Sequence, residues 1–152
     1  MSEDEGKAHN GKPYLHVVIA TGDRLVYDGD AECVIAPAFN GQISVLVHHA
    51  PLLAVLEPGE LVVRLADQAQ SFAVGGGFIE VRDNQVIILA DTAERAEEID
   101  VARAEAARLR ASALMKQYRG RPEYAVALQD LRRSRARLKV ARSLRSRSTS
   151  PL

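Results

Sequence analysis

From Tyr14 to Asp91 the chain runs as short apolar stretches cut by turn-forming residues: YLHVVIA, then ThrGlyAsp; LVYDGDAECVIAPA, then AsnGly at 40 and 41; QISVLV; PLLAVL, then ProGly at 58 and 59; ELVVRLA; QSFAV; FIEVR, then AspAsn; QVIILA. Runs rich in Val and Ile and spaced by such turns predict a compact all-β sandwich or barrel of about eight to ten strands. Within Glu60 to Leu65 the alternation places Leu61, Val63 and Leu65 on one face. Val62 and Arg64 take the other, which predicts a half-exposed strand. GlyGlyGly at 75–77 leads into another apolar run and lacks the Lys-Ser/Thr ending of a phosphate loop, so it reads as a bulge or tight corner.

The period changes near residue 92. Beyond Thr92 no glycine or proline occurs until Gly120 and Pro122, and Ala, Arg, Glu and Leu dominate. Such a composition favours helix. Ile99, Ala102, Ala106, Leu109 and Ala113 step by three and four, and a second helix from about Glu123 repeats the device with Ala127, Leu131, Ser134, Leu138 and Ala141. Two helices joined through ArgGlyArgPro form an antiparallel hairpin whose small residues allow close approach. A seam of alanines removes much less apolar surface from water than one of leucines, at about 0.8 kcal/mol per methylene, so the hairpin is expected to be weakly held and able to open.

Composition adds a division of charge. The 152 residues carry 20 Lys+Arg and 20 Asp+Glu. Eight of the cations and none of the acids fall in 131–152, which leaves 12 basic against 20 acidic residues before them. An acidic body with a basic end reads either as a solvated helix face or as a contact for an acidic partner. The apolar runs, such as ValIleIleLeuAla at 86–90, fall far short of the ~20 residues of a membrane helix. The acidic, polar start lacks the pattern of a signal peptide, so residence in the cytoplasm is expected. The lone Cys33 has no disulfide partner and no Cys/His cluster has zinc spacing, so neither metal nor redox chemistry is anticipated.

Catalytic groups are sparse. His9, His16, His48 and His49 belong to no triad or HExxH arrangement. Cys33, in a strand-like run, reads as an inert buried thiol. The pattern is that of a protein that is not itself an enzyme and requires no cofactor.

Three blocks carry a resemblance: LHVVIATGDRLVYDGD at 15–30, HAPLLAVLEPG at 49–59, and FAVGGGFIEVRDNQVIILADTAERAEEID at 72–100, followed by the alanine-rich helix. In this order and spacing they resemble the epsilon subunit of F-type ATP synthases of bacteria and chloroplasts. The resemblance implies an α+β fold, with an N-terminal antiparallel β sandwich of about ten strands and a C-terminal antiparallel two-helix hairpin. It divides the chain into an extension at 1–13, a sandwich at 14–92, a hairpin at 93–145 and a tail at 146–152, both ends expected to be disordered. It also implies a non-catalytic rotor subunit of a proton-translocating synthase, peripheral to the cytoplasmic face of the cell membrane. Its partners would be the gamma subunit, the c-subunit ring and the catalytic alpha and beta subunits, an acidic segment of beta meeting the basic second helix. The hairpin, folded down or extended along gamma, would restrain ATP hydrolysis.

Ile99, Asp100, Arg103 and Ala104 match the I/L-D-x-x-R-A motif associated with ATP in some bacterial members. The resemblance extends that regulatory role to Glu94, Arg110, Arg133 and Arg137, with Arg133 and Arg137 one helical turn apart and able to meet phosphate together. Asp100 would accept from a ribose hydroxyl or the adenine amino group. A plainer reading stands beside this one: Asp in a first turn favours the helix dipole without any ligand, and an Arg-rich face is commonly just solvated. The rival function is a module whose basic helix grips nucleic acid, against which stands the lack of interleaved aromatics after Tyr124. The chain departs from the family at Gln42, Ser44, Val47 and His48, where Glu, Gly, Pro and Gly are usual, in a loop expected near the c ring.

Overall fold

The computed structural model describes residues 11–148. The expected extension lies outside the described residues up to Asn10, and the expected tail does so from Thr149. Residues 146–148 of that tail belong to the last helix. The strands are β1 (Leu15–Ala20), β2 (Leu25–Ala31), β3 (Cys33–Ala38), β4 (Gly41–Leu46), β5 (Leu52–Leu65), β6 (Gln68–Arg82), β7 (Gln85–Ala90) and β8 (Ala93–Arg95). A 3-10 turn at Ala96–Glu98 leads to helices α1 (Val101–Gln117) and α2 (Glu123–Ser148). The fold is thus the expected sandwich followed by two helices, with a last strand, β8, beyond the 92/93 boundary read from the sequence.

Strand order is β2-β1-β7-β6-β5-β3-β4, with β8 also on β6. All pairings are antiparallel among the described residues except β1 with β7, which is parallel. The long strands β5 and β6 correct the sequence reading. ProGly at 58 and 59 is no turn, because Pro58 pairs with Gly75 and Gly59 with Val74 inside one continuous ladder. What changes there is the inward face: Leu56 is buried on one side of the bend, Leu61 and Val63 on the other. The C-terminal half of β6 pairs with β7 and its N-terminal half with β8, while the C-terminal half of β5 pairs with β3. Both strands therefore cross from one layer to the other, which is how eight segments fill about ten strand positions of a sandwich. Leu15, Val17, Ile19, Val34, Phe72, Ile79 and Ile88, all fully buried, fill the space between the layers.

GlyGlyGly lies at this crossing, as a corner and not a phosphate cradle. A Cβ on Gly77 would stand 2.1 Å from the Leu89 carbonyl oxygen, at φ +122°. The AspAsn turn has positive φ at both Asp83 (49°) and Asn84 (60°) and closes a two-residue hairpin between Arg82 and Gln85, the twist that joins β6 to β7 directly.

The Asp100 carboxylate accepts from the Arg103 N–H at 3.1 Å, which caps α1. Tyr118 ends α1, and Gly120 at φ +79° turns the chain toward α2. α2 packs on β5 and β6 on one side and on α1 on the other. The stripe expected on α2 is buried throughout: Ala127, Leu131, Ser134, Leu138 and Ala141. The stripe expected on α1 is not. Ala102, Ala106, Leu109 and Ala113 are exposed, and the buried residues are Ala104 and Ala111. Alanine occurs all round α1, so apolar spacing alone does not single out its contact face. Val62 is buried and Leu65 exposed, opposite to the alternation read from the sequence. Val62 shares its face with Glu60, which meets Ser143 of α2, so the outward side of β5 is covered by a helix here.

Candidate functional site

The seam between α2 and the sandwich holds half of the residues singled out by the sequence: Glu94, Ile99, Arg133 and Arg137. Glu94, on β8, accepts a hydrogen bond from Arg137 Nη2 at 2.6 Å, both side chains being part-buried. Ile99 packs against Ala73, Ala96 and Val140, which ties the linker before α1 to both β6 and α2. Ala104 is buried against α2, where a larger side chain would hold the helices apart. Asp100 is engaged in capping. Glu94 and Arg137 are thus joined directly, while Ile99 packs against α2, Asp100 is exposed at the start of α1 and Ala104 lies between the helices.

Arg133 precedes Arg137 by one turn and lies across the glycine corner. A Cβ on Gly75 would stand 2.1 Å from Thr92 Oγ1, so the corner requires glycine, and Arg133 Nε lies 3.4 Å from the same point. That Nε is buried without a hydrogen-bond partner. Arg133 Nη1 stands 3.8 Å from Asp130. With Gln129, Gly75, Asp91 and Phe39 it lines an open cleft of about 400 Å³. Arg103 and Arg110 are exposed on α1, seven residues apart and so on one side of that helix, and their side chains make no hydrogen bond or ion pair among the described residues. An unpartnered buried N–H carries a desolvation cost of about 1–3 kcal/mol that an incoming acceptor would relieve. The arrangement offers free or underused guanidinium groups to an anion.

Other contacts of the seam were not read from the sequence. Arg132 Nη1 donates to Glu57 at 3.0 Å, Ser143 Oγ to Glu60 at 2.9 Å, and Arg24 Nη2 to Glu98 at 2.9 Å. The Arg24 hydrogen bond, and next the Arg95 backbone N–H, hold the Glu98 carboxyl down at about 2. Partners 75 and 83 residues apart give no local signal, and only the unequal charge of body and tail hinted that they exist. Cys33 is half-buried, and burial pushes its thiol up, against reactivity. His16 sits on the exposed face of β1 beside Asp28, at 3.0 Å, and Asp30. No group of three or more His, Cys, Asp or Glu able to hold a metal ion occurs among the described residues.

Beyond the α2 seat, the outer side of the sandwich carries an apolar row, bordered by the exposed Glu80. Val55 is paired with Phe78 and Phe78 with Leu89, a cross-strand row in which each side chain is at least half exposed. Leu53 and Phe39, exposed by 72% and 69%, extend it. Single exposed apolar residues are ordinary, but a contiguous row of this kind marks a contact surface.

Comparison with known proteins gives a consistent result. The family model "ATP synthase, Delta/Epsilon chain, beta-sandwich domain" matches residues 14–96, and "ATP synthase, Delta/Epsilon chain, long alpha-helix domain" matches 97–142. The chain is 44% identical to the ATP synthase epsilon chain of Dehalococcoides mccartyi over 132 residues, which cover 86% of this chain and 94% of that one. It is 44% identical to the epsilon chain of Herpetosiphon aurantiacus over 88% and 98% of the two chains. For the epsilon chain of Moorella thermoacetica the figures are 45%, 84% and 96%. A chain in the structure of the Euglena gracilis mitochondrial ATP synthase OSCP/F1/c-ring assembly superposes with a TM-score of 0.64 at 22% identity, covering 97% of this chain and 91% of that one. At that identity the superposition bears on the fold.

Proposed function

The chain belongs to the ATP synthase delta/epsilon family, as an epsilon subunit of the central stalk, and from that premise we propose that it is a non-catalytic rotor component whose hairpin restrains ATP hydrolysis. The observation that carries this reading is the unequal covering of the sandwich. α2 lies over the corner of β5 and β6, while the row Val55–Phe78–Leu89 beyond it is bare. A fixed body with a free apolar face and a separately held arm fits a part that stays docked while its arm moves.

The bare row is the proposed seat of the gamma subunit, and the β4–β5 loop with His48 and His49 the proposed approach to the c ring. The complex, not this chain, makes it peripheral to the cytoplasmic face of the membrane. The basic flank of α2 fits an acidic segment of the beta subunit once the arm is free, and such a contact would weaken with salt.

The arm's restraint is thin, a small apolar contact of Val140 with Ala73 and Ala96 together with ion pairs. Glu57–Arg132 and Glu94–Arg137 are part-exposed pairs, of a kind worth about 0.2–1 kcal/mol each. ATP bound by Arg103, Arg110, Arg133 and Arg137, with Glu94, Ile99, Asp100 and Ala104 around it, would add contacts across that seam and hold the arm down. The orphan Arg133 Nε favours an acceptor there. Calorimetric titration of the full chain with ATP, alongside Arg103→Ala and Arg133→Ala, tests the idea. Saturable binding lost in both variants supports an ATP-sensing clamp; no binding at millimolar ATP sinks it. Separately, Phe78→Asp is expected to abolish co-purification with gamma while the melting curve of the isolated chain is unchanged.

A further inference from the structure

α2 presents cations on two opposed flanks. Arg133 and Arg137 lie on the flank that reaches Glu94. Arg135 is two residues from each, about 200° around the helix, and so projects from the other side. There Arg135, Lys139 and Arg142 face Arg108 of α1 across a groove of about 580 Å³, completed by Leu138 and Ser143. Arg108 is likewise two residues from Arg110, so α1 shows the same division. This second groove shares no residue with the set Arg103, Arg110, Arg133 and Arg137.

Its field is positive. Glu105 is the carboxylate beside it on α1, and it is already bound: Arg108 Nε donates to it at 3.0 Å, and it stays below the usual carboxylate range, first by that bond and further by the charge of Arg142. Glu60 at the far rim accepts from Ser143. The side chains of Arg135 and Lys139 have no acidic partner among the described residues, and both also border the adjoining cleft toward Pro37, Gly41 and Gln42. No aromatic side chain lines the groove, and its one leucine is nearly buried. A base would have nothing to stack on, whereas phosphate oxygens would meet three guanidinium groups and an ammonium.

We propose that this groove binds a soluble anion carrying two or more phosphate groups, recognised by charge without regard to any attached base, and that the anion bridges α1 to α2. Because Arg108 stands on one helix and Arg135, Lys139 and Arg142 on the other, an occupied groove closes the hairpin from the flank opposite Glu94.

The test is calorimetric titration of the full chain with inorganic pyrophosphate. Saturable binding is expected, weakened tenfold or more in Arg135→Gln/Arg142→Gln, unchanged in Arg133→Gln/Arg137→Gln, and decreasing with added salt. Circular dichroism establishes that both variants keep their helices. ATP and GTP should displace pyrophosphate from the Arg135-dependent site equally well. Absence of binding at millimolar pyrophosphate, binding that follows Arg133 and Arg137 instead, or a clear preference for one base would each overturn the proposal. So would Arg135-dependent binding to phosphatidylglycerol vesicles that pyrophosphate does not compete away, which would assign the groove to a lipid surface.

Discussion

At the scale of single residues, the chain's most specific demands are steric and electrostatic, and they differ in how far the sequence reveals them. AspAsn at 83 and 84 announces its turn because few residue pairs accept two positive φ values. GlyGlyGly announces a corner without saying which carbonyl or side chain needs the space. Gly77→Ala would drive a methyl group against the Leu89 carbonyl oxygen, at a φ that L residues avoid, so a loss of about 3 kcal/mol is expected in urea unfolding. Asp100 reads from local rules as an acid in a first turn that favours the dipole, and in the fold it stands just before α1 and caps it. Glu94 and Arg137 are 43 residues apart, so only the family resemblance placed them together. Glu98 sets a pH dependence. Its folded value, about 2, lies below that of an unfolded Glu, so its contribution is complete above about pH 4.3 and is lost as pH falls toward 2. Melting temperatures stepped through that window should fall less steeply in Glu98→Gln than in the parent chain.

At the scale of elements, periodicity served where one face is apolar and failed where two faces are equivalent. The stripe of α2 was readable because Leu131 and Leu138 recur among arginines. On α1 alanine occupies every side, and the contact face is fixed by α2 and not by local pattern. Leu131→Ala, at 5% exposure, is expected to cost about 2–4 kcal/mol of hairpin stability. Leu109→Ala, at 57%, is expected to stay within about 0.5 kcal/mol despite belonging to the stripe the spacing picked out. Amide exchange in the helices would separate the two. ProGly and GlyGlyGly, both strong punctuation, lie opposite one another inside a single β5–β6 ladder. They mark a bend shared by two strands, and no rule about one segment can tell a shared bend from two turns.

At the scale of the whole molecule, a hydrophobic sandwich carries an arm attached by a small apolar contact, Val140 against Ala73 and Ala96, and by part-exposed ion pairs. Raising the salt concentration should speed amide exchange in α1 and α2 and leave β1, β6 and β7 unaffected, since screening weakens part-exposed ion pairs and not apolar burial. In the assembled complex Arg132→Glu, placed against Glu57, should free the arm and lower the rate of ATP hydrolysis; an unchanged rate would leave the proposed restraint without support. The layering of the arm has a further consequence, for synthesis. α1 precedes α2 in the chain yet sits outside it, reaching the body chiefly through α2. As the polypeptide leaves the ribosome, every sandwich strand is available before either helix, and α1 then emerges with no surface to rest on. It must wait, exposed, until the 26 residues of α2 have been made. The later helix is therefore the one that lets its predecessor settle, and a chain broken off after Tyr118 would carry α1 as an unsheltered target for proteases.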